Sequence, residues 1–393
     1  MNTQQKGIIA LIKSALEHSP CTLPEGFNMG LAAREALRHK IIGLAYYGAV
    51  YCGVDKKSAP MQGLFRYLIP TMNVTEKQFY TVTKVCEAFR ENGIDYMPLK
   101  GTVLQPYYPS RELRTMGDAD ILIRMEQYEQ IKPVMEQLGF AFEYESDHEL
   151  VWKNKNLFLE LHKRLIPSYN RGYAAYYGDG WRLAHPEKEG DCRYVMTNED
   201  QMIYLFTHFA KHYRDGGVGI RHILDLYVFT KAHPELDSAY MERELKKLRL
   251  LEFYHNVCDT LQVWFNGAPE TALTDLITDV IFRSGEFGLA EDRIAAGGLR
   301  EMSDGKSARE MRSGRVRSVL FLPYDAMCEH FPVLKKWKIL LPLMWIVRAF
   351  RVVLFKRDQL KNQRKNMKLL SNDRLTGYER SLKAVGLSFE FKE

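Results

Sequence analysis

The chain has 393 residues, long enough for two or three domains with sizeable cores, and a formal net charge of +6. With 46% hydrophobic and 12% aromatic residues it is neither disordered nor fibrous. The positive excess gathers from Arg312 onward, which favours a local basic surface and gives no strong nucleic-acid signature.

The first residues place Ile8, Leu11, Ile12, Ala15 and Leu16 at helical spacing, with too short an apolar run and no small-residue cleavage site. That pattern predicts an amphipathic helix and not a signal peptide. Helical patterns follow over Met29 to Val50 and from Gln62 to Asn92, where Pro70 is expected to kink or divide the run. Residues 1–92 thus form an N-terminal helical segment, closed by Gly93 as a C′ glycine. The cysteines at 21, 52, 86, 192, 258 and 328 show no C-x-x-C pair and no histidine at zinc spacing. They are expected to be reduced, mostly buried thiols of a cytoplasmic protein.

Ile94 to Leu99 reads as a strand, Lys100-Gly101 as a sharp exit, and Thr102 to Tyr107 as the start of a helix. A glycine at that exit lets an anionic group approach the backbone, and a helix N-terminus beside the Lys100 ammonium favours a phosphate. Next comes Arg114-Thr-Met-Gly-Asp-Ala-Asp-Ile-Leu-Ile-Arg124. Asp118 and Asp120 head an apolar run that reads as a buried strand, and the period of two throws both carboxylates onto one face. Like charges that close are costly unless a cation lies between them. Mg²⁺ suits the position, because it takes one or two carboxylates and keeps its other sites for water and phosphate oxygens. Arg114 is placed either to contact phosphate or to brace Asp118.

Gln127 to Leu138 predicts a helix ended by Gly139, and Phe140 to Glu145 a strand. A hairpin over His148–Lys153 and Leu157–Leu165 follows, turning at Asn154-Lys-Asn156. In its second arm Leu157, Leu159 and Leu161 face one way and Phe158, Glu160 and His162 the other. His162 is open to orienting a carboxylate, touching substrate or a structural role. Pro167 to Asp191, rich in Tyr and Gly, either carries binding residues or packs over the rim of a site.

From Asn198 helices are expected over 199–213, 220–231, 236–247 and 251–264. His208, Lys211 and His212 share a face, but two histidines at i, i+4 make no metal site without a third ligand. Arg221 and Asp225 form an i, i+4 pair. Residues 290–314 read as a flexible linker or loop. The basic, Trp-bearing segment 331–357 is too broken for a membrane span, leaving a membrane-surface helix or internal packing open. The expected divisions are therefore 1–92, 93–197, 198–289, 290–314 and a basic amphipathic region 315–393.

The Leu99-Lys-Gly101 turn, the Arg114-x-x-Gly-Asp-x-Asp-Ile-Leu-Ile string, Leu159-Glu-Leu-His162 and Gly219-Ile-Arg-His-Ile-Leu-Asp-Leu226 together resemble the nucleotidyltransferase fold of the DNA polymerase β superfamily. Within it they resemble the bacterial group described as uncharacterised nucleotidyltransferases. The resemblance covers most of the chain, with its catalytic part from about Phe79 to Leu165. It implies an α/β fold, a mixed-sheet core between an N-terminal helical segment and a C-terminal helical domain. It further implies Asp118, Asp120 and Glu160 as catalytic and metal-holding acids for two Mg²⁺ ions. Lys100, Gly101, Thr102 and Arg114 would then meet the triphosphate, and Arg221 and Asp225 would line the cleft from the helical domain. Many members carry Gly-Ser at the turn; here the only hydroxyl is that of Thr102.

The implied reaction moves a nucleoside monophosphate from a triphosphate, ATP first among them, to an acceptor hydroxyl, with release of pyrophosphate. No residue selects the acceptor. Two other readings stay open: an idle fold serving as a binding or membrane-surface adaptor through 331–357, and an antitoxin-like AMP-transferase acting on a protein.

Overall fold

The structure, a computed structural model, describes residues 1–286, 288–303, 324, 327–328, 331–347 and 371–389. Four helices precede the sheet: α1 (Thr3–Glu17), α2 (Met29–Arg38), α3 (Ile42–Tyr51) and α4 (Ala59–Glu91). A capping box starts α1, with Asn2 and Gln5 each satisfying the other's backbone N–H. The single helix expected over 29–50 is two, because Lys40 turns left-handed (φ 56°) between α2 and α3. Pro70 does not divide α4. Both Pro70 and Arg66, whose carbonyl loses its helical donor, are exposed, so water can take the place of the missing bond.

The sheet then forms from β1 (Tyr96–Leu99), a single short turn α5 (Gly101–Leu104), β2 (Ala119–Ile123), α6 (Tyr128–Gln137), β3 (Ala141–Glu145), β4 (Glu149–Lys153) and β5 (Phe158–His162). Its order is β1-β2-β5-β4-β3, with β2 and β5 parallel and the other pairs antiparallel. Alternation splits each strand between two faces. Ile121, Ile123, Leu159 and Leu161 pack against Val85, Phe89, Ile131 and Met135 of α4 and α6. Met97, Leu99 and Leu122 face the helical body instead. The register sets Asp120 opposite both Leu99 and Glu160, and His162 opposite both Leu122 and Glu149, so the polar residues share that second face.

After β5 come α7 (Arg171–Tyr177), the two-residue strands β6 (His185–Pro186) and β7 (Tyr194–Val195), and the helices α8 (Asn198–Arg214), α9 (Ile220–Ala232), α10 (Ser238–Lys247), α11 (Leu251–Phe265), α12 (Ala272–Ser284), α13 (Ala290–Ser303) and α14 (Asn372–Ala384). The N-terminal helices α1 to α3 and the first half of α4 share a core with α8 to α14, while Val82, Val85 and Phe89 of α4 belong to the core under the sheet. Polar ties join α1 to α11 and α12 as well: Gln5 Nε2 donates to Asp279 Oδ1 at 2.7 Å and Lys13 Nζ to the Phe265 carbonyl at 2.6 Å.

Two further expectations change. Residues 290–303 are helix α13 and not linker, because Asp292, Ala295, Ala296 and Leu299 are buried and Asp292 pairs with Arg283 (2.9 Å) and Arg374 (2.8 Å). Residues 304–314 lie outside the described residues. Cys21 and Cys52 form a disulfide, so these two cysteines are not reduced thiols; their separation of 31 positions carries no local signal, and only the packing of α1 and α3 brings them together. In the 331–347 part of the basic segment, Phe331, Leu340, Met344 and Trp345 pack on Met327, Cys328 and Leu334, while Trp337, Ile339, Leu343 and Ile346 are exposed. Residues 348–357 lie outside the described residues. Among the described residues no helix is long and apolar enough to cross a membrane.

Candidate active site

A cavity of about 570 Å³ lies between the polar face of the sheet and the helical body. That size is ordinary for a small-molecule site. On the sheet side it is lined by Asp118, Asp120, Glu160 and Glu149; on the helical side by Lys211, three histidines and part of α13. Asp118 stands one residue before β2 and Asp120 within it, as the period-two spacing requires. Glu160 arrives beside Asp120 through the parallel β2–β5 register. Asp120 and Glu160 thereby come within ligand distance of one another and of His162, and Asp118 lines the same cavity.

Asp120 is 5% exposed, and one of its oxygens serves two donors. Lys100 Nζ lies 2.5 Å and His162 Nε2 2.8 Å from Asp120 Oδ1. Burial opposes the charge of Asp120, but the Lys100 ammonium and the His162 hydrogen bond overrule it and hold the carboxyl well below the usual range. The other two acids move the opposite way. Asp118 is exposed to the cavity, and the crowding of protein around it, then the charge of Asp120, raises its pKa. Burial likewise pushes Glu160 up to about 7, against the hydrogen bond from His162. His162 thus orients a carboxylate.

The expected phosphate cradle is built differently. Lys100 is turned toward Asp120 by a backbone conformation rare outside glycine (φ 47°, ψ −115°), a strain of about 1–3 kcal/mol that functional sites tolerate. The helix after it lasts four residues and so presents no sustained N-terminal dipole. Thr102 does not line the cavity, and its Oγ1 is buried without a hydrogen-bond partner among the described residues. Gly101 does line it, but the space a Cβ would take is held by Met116 Sδ at 3.0 Å and Arg114 Nη1 at 3.2 Å. Its smallness serves the packing of the 114–117 loop.

Arg114 neither braces Asp118 nor stands free. It is 6% exposed and forks onto Asp225, Nε to Oδ1 at 2.7 Å and Nη2 to Oδ2 at 2.8 Å, and the Tyr108 hydroxyl donates to the same Oδ1 at 2.9 Å. Arg221 and Asp225 are not each other's partners. Arg221 Nη2 lies 3.2 Å from Glu286 Oε1, and its Nη1 donates to the Thr115 carbonyl at 3.0 Å. Both therefore line the cavity as clamps that fasten the loop before Asp118 to α9. A separation of 111 residues between Arg114 and Asp225 hides this in the sequence.

The helical wall of the cavity brings the His208, Lys211 and His212 face together with residues such as His222 that the sequence did not single out. Lys211 is 9% exposed, and its ammonium has no ion-pair or hydrogen-bond partner among the described residues; burial, then Lys100, lowers its pKa to about 8. His222 of α9 joins His208 and His212 of α8, with ring centroids 4.3 to 6.0 Å apart. Burial and the neighbouring cations drive all three well below the usual histidine range, so they are neutral imidazoles. Of the aromatic 167–191 segment Tyr169 reaches the cavity, under Arg300 at 4.4 Å, while Tyr173 and Tyr177 are core. Among the described residues two groups have ligand atoms close enough to hold a metal ion, Asp120/Glu160/His162 and His148/Glu149/His162. The second depends on the β4–β5 register, which sets Glu149 against His162.

Two outcomes follow from this geometry. Asp225→Ala leaves the Arg114 guanidinium buried without its carboxylate, and urea unfolding should register a loss of about 3–5 kcal/mol. Glu160 has a folded pKa of about 7 against 4.5 unfolded, so between those values the folded state binds the extra proton. Its contribution is present below pH 4.5 and is lost as pH rises through 7. Thermal melts without metal should therefore show wild type losing stability relative to Glu160→Gln from pH 5 to 7.5.

A family model described as "Uncharacterised nucleotidyltransferase" matches residues 25–266, more than half of the chain. The solution structure of the antibiotic-resistance factor ANT(2'')-Ia is 15% identical, with 46% of this chain and 98% of that one covered at a TM-score of 0.33. No curated protein matches the chain. With the family model spanning the sheet, its acids and helices α8 to α11, the chain belongs to the uncharacterised nucleotidyltransferase family and is an enzyme of nucleotidyl transfer.

Proposed function

We propose that the enzyme uses Mg²⁺ and a nucleoside triphosphate, ATP first among them, to place a nucleoside monophosphate on an acceptor hydroxyl. The observation that carries this is Asp118, Asp120 and Glu160 converging on one sheet face at the floor of a substrate-sized cavity. The donor set suits a hard divalent ion: Asp120 and Glu160 have ligand atoms near enough to share one, Asp118 lines the same cavity, and desolvation followed by the charge of Asp120 makes Asp118 and Glu160 hold their protons more tightly, a cost that a cation there would relieve. Asp118, Asp120 and Glu160 would hold it. When bound, Mg²⁺ supplies charge neutralisation at the phosphate oxygens.

The chain's own groups then have distinct tasks. The unpaired Lys211 ammonium takes the anionic tail, a role that Lys100 and Arg114, both paired, do not fill in this conformation. Glu160 is placed to accept the proton of the acceptor hydroxyl. The hydroxyl oxygen bonds to the α-phosphorus, the bond from that phosphorus to the bridging oxygen breaks, and pyrophosphate leaves with the electron pair. Arg293, Ala296, Gly297 and Arg300 of α13 also line the cavity and lie beyond residue 266, so part of the acceptor side is built outside the family-matched span.

Calorimetry and a pyrophosphate-release assay test this reading. Asp118→Asn or Asp120→Asn should lower Mg²⁺-dependent turnover by about 10²-fold or more. Lys211→Met should weaken triphosphate binding about tenfold, and wild-type binding should fade as pH rises through 8, where the free ammonium loses its proton. Failure of every ribonucleoside triphosphate to bind with Mg²⁺ would sink the proposal. A peripheral membrane contact is supported by the exposed Trp337, Ile339, Leu343 and Ile346. Co-sedimentation with anionic liposomes, lost in Trp337→Ser/Ile339→Ser, is the expected result, and no pelleting of wild type would end that idea.

A further inference from the structure

Lys100 is positioned where no triphosphate contact explains it. The ammonium is in contact with Asp120 Oδ1, an oxygen that also accepts from His162 Nε2, and its charge is felt by Glu160 and Asp118 as well. Asp118 has no ion-pair partner among the described residues, and Glu160 has only His162, at 3.5 Å. Together with Arg221, a second positive charge acting on Asp118, and His162, hydrogen-bonded to Asp120, the Lys100 ammonium therefore bears on all three carboxylates. The chain holds it there by an unusual backbone: Lys100 is the last residue before α5, left-handed without being glycine, and its carbonyl accepts from Val103 and Leu104 at 3.1 and 3.0 Å. Its side chain is thereby turned back over β2, whose Asp120 is the cross-strand partner of Leu99.

We infer that Lys100 is a resident counter-ion of the acidic edge, which keeps free divalent metal out and yields its place only when the metal arrives together with a triphosphate. This rests on the nucleotide reading above. A divalent cation entering alone would meet an ammonium already on Asp120, so its gain from the carboxylates is offset by repulsion from the lysine. A triphosphate changes that balance, because its oxygens offer the ammonium a new anion within reach of a flexible four-carbon stem. Lys100 then passes from Asp120 to phosphate as the metal takes the carboxylates, and metal and nucleotide bind as one coupled event. Lys100 acts through Asp120 and is a positioning residue. The expected phosphate contact of Lys100 and its observed pairing are two ends of one movement.

The test is Mn²⁺ affinity, read by calorimetry or by the loss of free-ion EPR signal, with no turnover involved. For wild type, Mn²⁺ alone should bind weakly and at least about tenfold more tightly with a non-hydrolysable ATP analogue present, an ordinary size for such coupling. Lys100→Gln should bind Mn²⁺ alone at least about tenfold more tightly than wild type, whereas Lys100→Arg, which keeps the charge, should stay as weak as wild type. A merely structural lysine would not raise metal affinity on removal. Where the analogue binds, equal Mn²⁺ affinity for wild type with and without it overturns the counter-ion role, and so does no gain in a cooperatively melting Lys100→Gln. Should Lys100→Gln not fold, the wild-type comparison decides. If no nucleotide binds but Lys100→Gln gains Mn²⁺ affinity, the counter-ion role stands and the nucleotide reading falls.

Discussion

Three carboxylates share one face of a sheet, and the structure around them is arranged to make that tolerable. Loss of water around the edge, and after it the neighbouring charge of Asp120, pushes Glu160 and Asp118 toward holding their protons. Asp120, the most buried of the three, stays ionised because Lys100 and His162 both reach it. The left-handed backbone at Lys100, the parallel pairing of β2 with β5 and the hairpin register that brings His162 beside Glu149 all serve that one local balance.

The second constraint is mechanical. The acids belong to the sheet and the unpaired Lys211 to the helical body, so the cavity has a fixed shape only if the two are fastened together. Arg114, in the loop that precedes Asp118, forks onto Asp225 of α9, and Arg221 of the same helix grips both the Thr115 carbonyl and Glu286. These buried, bidentate contacts have little freedom, so they fix orientation as well as distance. Charges that a reader of the sequence assigns to the ligand are spent on holding the ligand's walls. Among the described residues Lys211, desolvated and with no protein partner for its ammonium, is a buried cavity cation with charge to give to an anion.

Much of the catalytic edge was legible in the chain because its rules are local. Asp118-x-Asp120 ahead of an apolar strand places two acids on one face by period alone, and Leu157, Leu159 and Leu161 against Glu160 and His162 fix which side of β5 meets them. The helices from α8 to α11 announced themselves by apolar spacing, within a residue or two at each end. Where local rules misled, a distant partner had overruled them. The small, polar run at 290–303 is helical because Asp292 pairs with Arg283 and Arg374. Lys40 breaks a helix with neither glycine nor proline to mark it, and Cys21 meets Cys52 only through the packing of α1 and α3.

The sequence by itself determined the acids, their common face and the strand and helix pattern that carries them, since each depends on side-chain alternation over a few neighbouring residues. Tertiary structure alone decided which cations are free. Lys100, Arg114, Arg221 and Lys211 are equivalent as letters, and whether each meets a protein carboxylate or an open cavity depends on contacts as far as 111 positions apart. Tertiary structure also added the third histidine, His222, to the pair on α8 and set Glu149 beside His162. Charge pairing acts through space over a few ångströms and takes no account of distance along the chain.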